Sequence, residues 1–365
     1  MAGLTDLGAA RVAELDRSDM LGWIAGLPRQ LREGYDAARE RLAGAFFGTF
    51  PAIPPAEPTG LAVCGMGGSA IGADLVLACL PELPVPVTVV RGYALPAWVG
   101  PETLVVVVSY SGETEEALAC VTQARARGCV PVCIASGGQL AAFADAEGLP
   151  CVLVPGGGQP RASVGKLSMP LLATLEAAGM CREHAGDVRG AAEQLEADNA
   201  DLGPDSADAH NPAKALARRL EKKLVVVYGA GPTSPVARRW KGQINENAKA
   251  PAFFNELPEL DHNEIMGWTS QPHVTSATVA LFLSDESGDE RLARRAALTA
   301  VEYQALGVAT EQVAGHGASP LARLFSLVQL GDYASFYLAL LYGVDPTPVG
   351  AIEDFKAKLA GAAGA

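Results

Sequence analysis

The sequence predicts an α/β chain with two domains. Each is a parallel sheet flanked by helices on both faces, a three-layer α-β-α sandwich. Two observations carry this. Short runs of β-branched residues end in glycine- or serine-rich turns and lead into helical stretches, and this order recurs through the first half of the chain. The order then begins again at KKLVVVYGAG (222–231). The length of 365 residues and a hydrophobic share of 49% are enough for two buried cores.

Residues 6–47 read as helical, with Leu21, Ile24, Leu27 and Leu31 at helix spacing. PAIPPAEPTG (51–60) is a proline-rich connector. LAVCGMGGSAIGADLVLACL then gives a strand, a glycine turn and an amphipathic helix. PVTVVRGY, TLVVVVSYSG, VPVCIASGG (130–138) and CVLVPGGG (151–158) give four more strands, with helices such as Glu115–Arg127 between most of them. Strands alternating with helices imply a parallel sheet covered on both faces. EADNADLGPDSADAHNPA (196–213) is polar and turn-rich, a linker before a helix. In the second half TSATVALFLSD (275–285) and ATEQVAG are strands, ERLARRAALTAVEYQALG is a helix, and LARLFSLVQLGDYASFYLALLYG (321–343) is a buried helix. The expected division is an N-terminal helical segment over 1–50, a first domain over 51–205 and a second over 206–365.

Composition narrows the partners. A net charge of −13 argues against nucleic acid or an anionic membrane surface. The N-terminus lacks a basic stretch followed by an apolar run, and no eighteen apolar residues stand unbroken. Seven cysteines without framework spacing suggest reduced thiols, with Cys129 and Cys133 as small core residues, and a cytoplasmic location. The five histidines show no paired ligand spacing, so neither a metal nor another cofactor is expected.

The stretch VVVVSYSGETEE (105–116) raises the functional question. A buried strand ends in Ser109, Ser111 and Thr114, and a helix starts directly after them. In an open parallel sheet, ligands bind beyond the carboxyl ends of the strands. Hydroxyls, a glycine that admits close approach and a helix N-terminus suit a phosphate. Taken alone, the stretch reads equally well as an ordinary helix cap. A second cup, GMGGSAIG (65–72), follows the first strand. It departs from the dinucleotide fingerprint, and Arg91 stands where an acid for a ribose would be. A sugar bearing its own phosphate fits better, with Gly67, Gly68 and Ser69 on the sugar side.

These motifs together resemble the sugar isomerase (SIS) fold. RRWKGQINENAKAPAFFNELPELDHNEIMGW (238–268), PRASVGKLSMPLL (160–172) and DPTPVGAIEDFKAKL (345–359) resemble blocks of the bifunctional phosphoglucose/phosphomannose isomerases. The likeness runs from about residue 60 to 359. It implies two SIS domains and a metal-free aldose–ketose isomerase that interconverts glucose 6-phosphate or mannose 6-phosphate with fructose 6-phosphate through a cis-enediolate. It implies Glu246 as the base, His262 for ring opening and Arg161 beside the enediolate. Lys356 would assist ring opening, with Lys358 as the fallback. Ser109, Ser111 and Thr114 would hold the phosphate, and Ser69 would contact the sugar. It also implies a homodimer in which His262 reaches the partner's site.

Each residue has a plainer reading. Glu246 alone reads as a helix-surface acid pairing with Lys249 or Lys241. His262 reads as a loop cap, Arg161 as a solvated side chain and Lys356 as solvent-facing. Arg238, Arg239 and Lys241 read as structural. Two places depart from the family pattern: Glu113 stands where an amide is common, and GKLS (165–168) is less aromatic than expected. An acid beside a phosphate cup weakens binding unless it points away. The alternatives are an isomerase of another phosphosugar and a non-catalytic phosphosugar-binding regulator.

Overall fold

The computed structural model describes residues 6–43, 54–286 and 288–362. Three helices open it: α1 (Ala9–Leu15), α2 (Met20–Ala25) and α3 (Leu27–Leu42). The helix expected over 6–47 is therefore broken twice, and its last four residues lie outside the described residues, as do 51–53 of the connector. Asp16 and Asp19 cause the first break. The Asp16 carboxylate accepts the N–H groups of Met20 and Leu21 at 2.7 and 2.8 Å, and Asp19 caps α2 by accepting from Gly22 at 3.2 Å. Ile24, Leu27 and Leu31 are buried as the spacing implies.

The first sheet and its helices follow: β1 (Gly60–Cys64), α4 (Gly67–Cys79), β2 (Val87–Val90), β3 (Thr103–Ser109), α5 (Glu115–Ala126), β4 (Val132–Ala135), α6 (Gly138–Ala146) and β5 (Cys151–Leu153). Then come α7 (Val164–Ala177) and α8 (Ala185–Leu202), so the expected linker begins only after residue 202. The second sheet is built from α9 (Pro212–Leu220), β6 (Leu224–Ala230), α10 (Ser234–Asn247), β7 (Ala252–Leu257), α11 (Glu264–Gly267), α12 (Pro272–Thr275), β8 (Thr278–Ser284), α13 (Glu290–Ala305) and β9 (Ala309–Ala314). The long α14 (Pro320–Tyr342) and α15 (Gly350–Ala362) close the chain.

Both sheets are parallel throughout, with strand orders β2-β1-β3-β4-β5 and β7-β6-β8-β9. The central strands β1 and β3 are buried along their whole length, which is why they read as unbroken apolar runs. The strand order of the first sheet reverses between β1 and β3, so the turns after these two parallel strands flank one crevice. Those turns are the two cups of the sequence.

β7 escapes the sequence pattern. Its burial is irregular, it lies at the sheet edge, and Pro251 and Pro258 bracket it. α14 is long and apolar enough to cross a membrane by composition, yet 89% of its most apolar stretch is buried inside the protein, against α8, α9 and α10. Ser319 caps its start, accepting from Ala322 N–H, and Gly343 ends it at φ +68°. The seven cysteines carry free thiols, and Cys129 and Cys133 are buried. The GKLS segment lies in α7, where Gly165 faces Gly34 of α3. A Cβ on Gly165 would stand 2.8 Å from Gln30 Cβ, so this helix–helix seam has no room for larger side chains.

Candidate active site

A cavity of about 250 Å³ opens between the start of α4 and one face of α10. Gly67 and Gly68 form one wall; Arg161, Gly242, Gln243 and Glu246 form the other. Four residues expected from the sequence, Gly67, Gly68, Arg161 and Glu246, thus meet in one place. Arg238, Gly242 and Glu246 follow one another at intervals of four along α10, so one row of the helix faces the cavity. Glu246 sits in the last turn of α10.

Arg161 is held from all sides. It is 4% exposed and lies in a 3₁₀ turn, Pro160–Ala162, ahead of α7. Its Nε donates to Asn247 Oδ1 at 2.7 Å, Nη1 to Gln159 Oε1 at 3.2 Å, and Nη2 to the carbonyls of Pro346 and Thr347 at 2.8 and 2.7 Å. The Glu246 carboxylate stands 3.5 Å from Nη1. Burial pulls the guanidinium below its ordinary pKa and Glu246 opposes this. Arginine remains a cation under such conditions.

A second layer fixes this frame. Arg239 donates to the Arg161 carbonyl at 2.8 Å and to Asp332 of α14 at 2.6 Å. Gln243 donates to the other Asp332 oxygen at 2.7 Å, and Asn247 donates to Ser335 at 3.0 Å. From the N-terminal helices, Gln30 donates to the Ala162 carbonyl at 2.8 Å. Arg239 is structural, as expected. Arg238 and Lys241 join no such buried network among the described residues, and with Arg239 and Arg91 they line the cavity. Asp74 pairs with Arg91 and stands 3.8 Å from Arg238. A chain of net charge −13 therefore presents a cationic mouth at this point.

Lys249 follows α10 at φ +55°, a left-handed conformation. Its ammonium donates to the carbonyls of Glu246 at 2.5 Å and Pro346 at 3.0 Å. It binds the Glu246 backbone, not the carboxylate as the plainer reading supposed. Although much of its stem is exposed, burial of the ammonium, followed by the charge of Arg161, pushes its pKa down to about 8.

The serine-rich turn does not line this cavity, and neither does Ser69; the turn follows β3, across the crevice from the glycine turn. Ser109 is buried, donates to Thr114 Oγ1 at 2.9 Å and accepts from Gly112 N–H at 3.1 Å. Ser111 accepts from Glu113 N–H at 3.2 Å. No side chain caps the first turn of α5. Ser69 is 5% exposed and accepts from Tyr110 N–H at 3.3 Å, tying the glycine turn to the end of β3. Glu113 points away: its carboxylate accepts from Gln139 N–H at 3.0 Å and Gln139 Nε2 at 2.6 Å, at the start of α6. Gly112 has no room for a side chain, since a Cβ would lie 2.0 Å from Gly137 O.

His262, Lys356 and Lys358 do not join the cavity. His262 is exposed, in a 3₁₀ turn spanning Glu259–His262. Its neighbour Asp261 turns inward to Arg295 and Thr299 of α13, at 2.9 and 2.8 Å, and so does not orient the imidazole. Lys356 and Lys358 lie on α15, exposed along its described side chains. Glu264 holds α11 to the second sheet through Tyr228 and Asn255. Residue types alone did not reveal Gln159, Gly242, Asn247 or Asp332. Only the NEN block hinted at Asn247. A cavity of about 300 Å³ at the far end of α4 holds none of the candidates, and Arg182 and Asp187 in its wall pair with each other at 2.7 Å.

Comparisons with known proteins agree with this architecture. Residues 209–359 match the family described as "Bacterial phospho-glucose isomerase C-terminal SIS domain". The chain is 37% identical to a bifunctional phosphoglucose/phosphomannose isomerase of Caldicellulosiruptor bescii, covering 92% of this chain and 98% of that protein. It is 39% identical to one of Aquifex aeolicus, covering 82% and 90% respectively. Among solved structures, the tagatose-6-phosphate ketose/aldose isomerase of Escherichia coli superposes with a TM-score of 0.70 at 16% identity, covering 94% of this chain and 98% of that one.

Proposed function

The chain belongs to the bifunctional phosphoglucose/phosphomannose isomerase family, which makes it a phosphosugar isomerase, and we propose that it interconverts glucose 6-phosphate or mannose 6-phosphate with fructose 6-phosphate using Glu246 as the base. One observation carries the reading. A carboxylate faces a sugar-sized cavity with a fixed guanidinium 3.5 Å away, so a proton acceptor and a stabilising charge share one site.

The chemistry follows from that pair. Glu246 takes the proton from C2 of the open-chain aldose and returns it to C1, while the O2 hydroxyl proton passes to O1, so that the carbonyl moves from C1 to C2. The negative charge that develops on the oxygens of the cis-enediolate meets Arg161. Nε and Nη2 are engaged by protein acceptors, so a substrate oxygen approaches Nη1, where Gln159 and Glu246 now stand. The enediolate is planar at C2. Reprotonation there after rotation about C2–C3 gives the epimer, which is why one site can serve both aldoses. The phosphate rests on Ser109, Ser111, Thr114 and the uncapped first turn of α5, with Glu113 turned aside. Ser69 stands on the sugar side.

His262 and Lys356 complete the site. His262 is exposed beside a neighbour that points inward, an arrangement suited to a loop that enters another copy. We place it in the partner's site within a homodimer, opening the sugar ring. Lys356, or Lys358 in its stead, approaches on α15 from the segment whose carbonyls Arg161 holds. The protein then acts on a phosphorylated hexose in the cytoplasm, without nucleic acid or membrane. Proton transfer between adjacent carbons needs a base and a charge, so no step calls for a metal or another cofactor. The test is a coupled assay with glucose 6-phosphate, mannose 6-phosphate and other hexose 6-phosphates. Turnover of both named aldoses is expected. Turnover of one alone rejects the bifunctional reading, and turnover of neither rejects the substrate class.

A further inference from the structure

Three glycines line the cavity, and two have a structural reason to be there. Gly67 has φ +49°, a conformation that disfavours other residues. Gly68 lies against the 3₁₀ turn that carries Arg161, where a Cβ would come 2.7 Å from Pro160 O. Gly242 has neither reason. It sits well inside the 14-residue α10 with ordinary helical backbone, and a Cβ built there meets nothing within 4 Å. Close approach accounts for Gly331 in α14, where a Cβ would lie 2.2 Å from the Trp240 indole, whereas Gly186 and Gly190 of α8 meet nothing within 4 Å, so it is the place of Gly242 in the cavity lining that sets it apart. A glycine inside a helix weakens it relative to alanine. Gly242 bears that cost without a packing or backbone return, and the space it leaves belongs to the cavity.

We infer that Gly242 is a specificity-determining residue whose missing side chain keeps the cavity floor open for the carbon chain of the sugar phosphate. This deepens the isomerase reading and rests on it for the substrate class. Glu246 lies one helical turn further on, about 6 Å along the axis, and Arg238 lies one turn back. Gly242 therefore faces the part of the substrate between the reacting carbons and the cationic mouth. A methyl group here fits the protein and collides with the ligand.

The experiment compares wild type with Gly242→Ala and Gly242→Leu. Melting temperature, dimer content, turnover of glucose 6-phosphate and calorimetric binding of fructose 6-phosphate are measured for each. The expected result is a melting temperature for Gly242→Ala at or above that of wild type. Its kcat/KM should fall roughly tenfold or more, mostly through KM, because overpacking a formed site typically has an effect of that size. Gly242→Leu should lose more and should bind fructose 6-phosphate measurably more weakly. Unchanged kcat/KM and binding in a folded Gly242→Leu overturns the inference while the isomerase reading stands. A fall in activity that tracks a lower melting temperature or a loss of dimer overturns it too, since the glycine would then serve folding or assembly. If wild type turns over no aldose, the isomerase reading fails by itself. Fructose 6-phosphate binding, retained by wild type and lost in Gly242→Leu, then still decides the role of Gly242.

Discussion

Glu246→Gln separates chemistry from architecture. The amide keeps the size of the carboxylate and removes the base, a change that typically costs ~10²–10⁴-fold in rate. The structural cost should be small. The side chain of Glu246 is 36% exposed, so its ion pair with Arg161 is partly screened and worth about 1 kcal/mol or less. Arg161 keeps four protein acceptors, namely Asn247, Gln159 and the carbonyls of Pro346 and Thr347, so its buried charge is not abandoned. A loss of that size lowers Tm by no more than about 4 °C. The assay starts from fructose 6-phosphate and couples the glucose 6-phosphate formed to a dehydrogenase. Binding of the sugar phosphate is followed in parallel by calorimetry. The expected variant melts near wild type, binds fructose 6-phosphate about as well, and turns over at least ~10²-fold more slowly. Turnover within a few-fold of wild type in the folded variant would refute the assignment of Glu246. Loss of binding together with loss of turnover would make Glu246 a ligand contact and leave the base to be found.

Three further outcomes are expected. Mixing inactive Glu246→Gln with inactive His262→Ala under subunit exchange should restore about a quarter of wild-type activity, because random pairing of a shared-site dimer rebuilds one site in half of the dimers. No recovery after verified exchange would mean that each chain uses its own His262. Lys249 should produce an alkaline decline in kcat/KM near pH 8, as the charge beside the site is lost. Its folded pKa lies below the ordinary 10.5, so the unfolded chain binds more protons between about 8 and 10.5, and stability rises with pH there while activity falls. Lys249→Arg should remove the decline, and a profile that is unchanged in that variant refutes the origin proposed for it. Replacing Ser111 and Thr114 by alanine should raise KM tens-fold, from ~1–2 kcal/mol per charge-assisted bond lost, and an unchanged KM places the phosphate elsewhere.

How much was legible in advance depends on how far each residue's partners lie along the chain. β1 and β3 were readable because a strand buried on both faces must be apolar throughout. The turn after β3 was readable because hydroxyls, a glycine and a helix start are consecutive. The direction of Glu113 was not, since its partner Gln139 lies 26 residues on. The breaks at Asp16 and Asp19 were hidden by an apolar spacing that continues across them. Arg161 and Glu246 were picked out only through the family resemblance. Apart from Gln159, the partners of Arg161 lie 78 to 186 positions away, and no local pattern encodes them. Gly242 looked like any helix glycine until the space beside it was known.

The turn that carries Arg161 has a consequence for inheritance. Its side chain is bonded by α10 and by the segment after α14, its carbonyl by Arg239, and the next carbonyl by Gln30 of α3. The charge comes from the half of the chain that builds the first sheet, and most of its acceptors come from the half that builds the second. A hybrid joining the first half of this chain to the second half of a distant relative would bury a cation among groups not shaped to receive it. Removing one partner of such a buried arrangement costs about 3–5 kcal/mol, a large part of an ordinary domain's stability. The two halves look like interchangeable modules in strand order and helix placement, but they are matched parts. Substitutions near residue 161 in one half should therefore be tolerated only alongside compensating changes near 247 and 346 in the other.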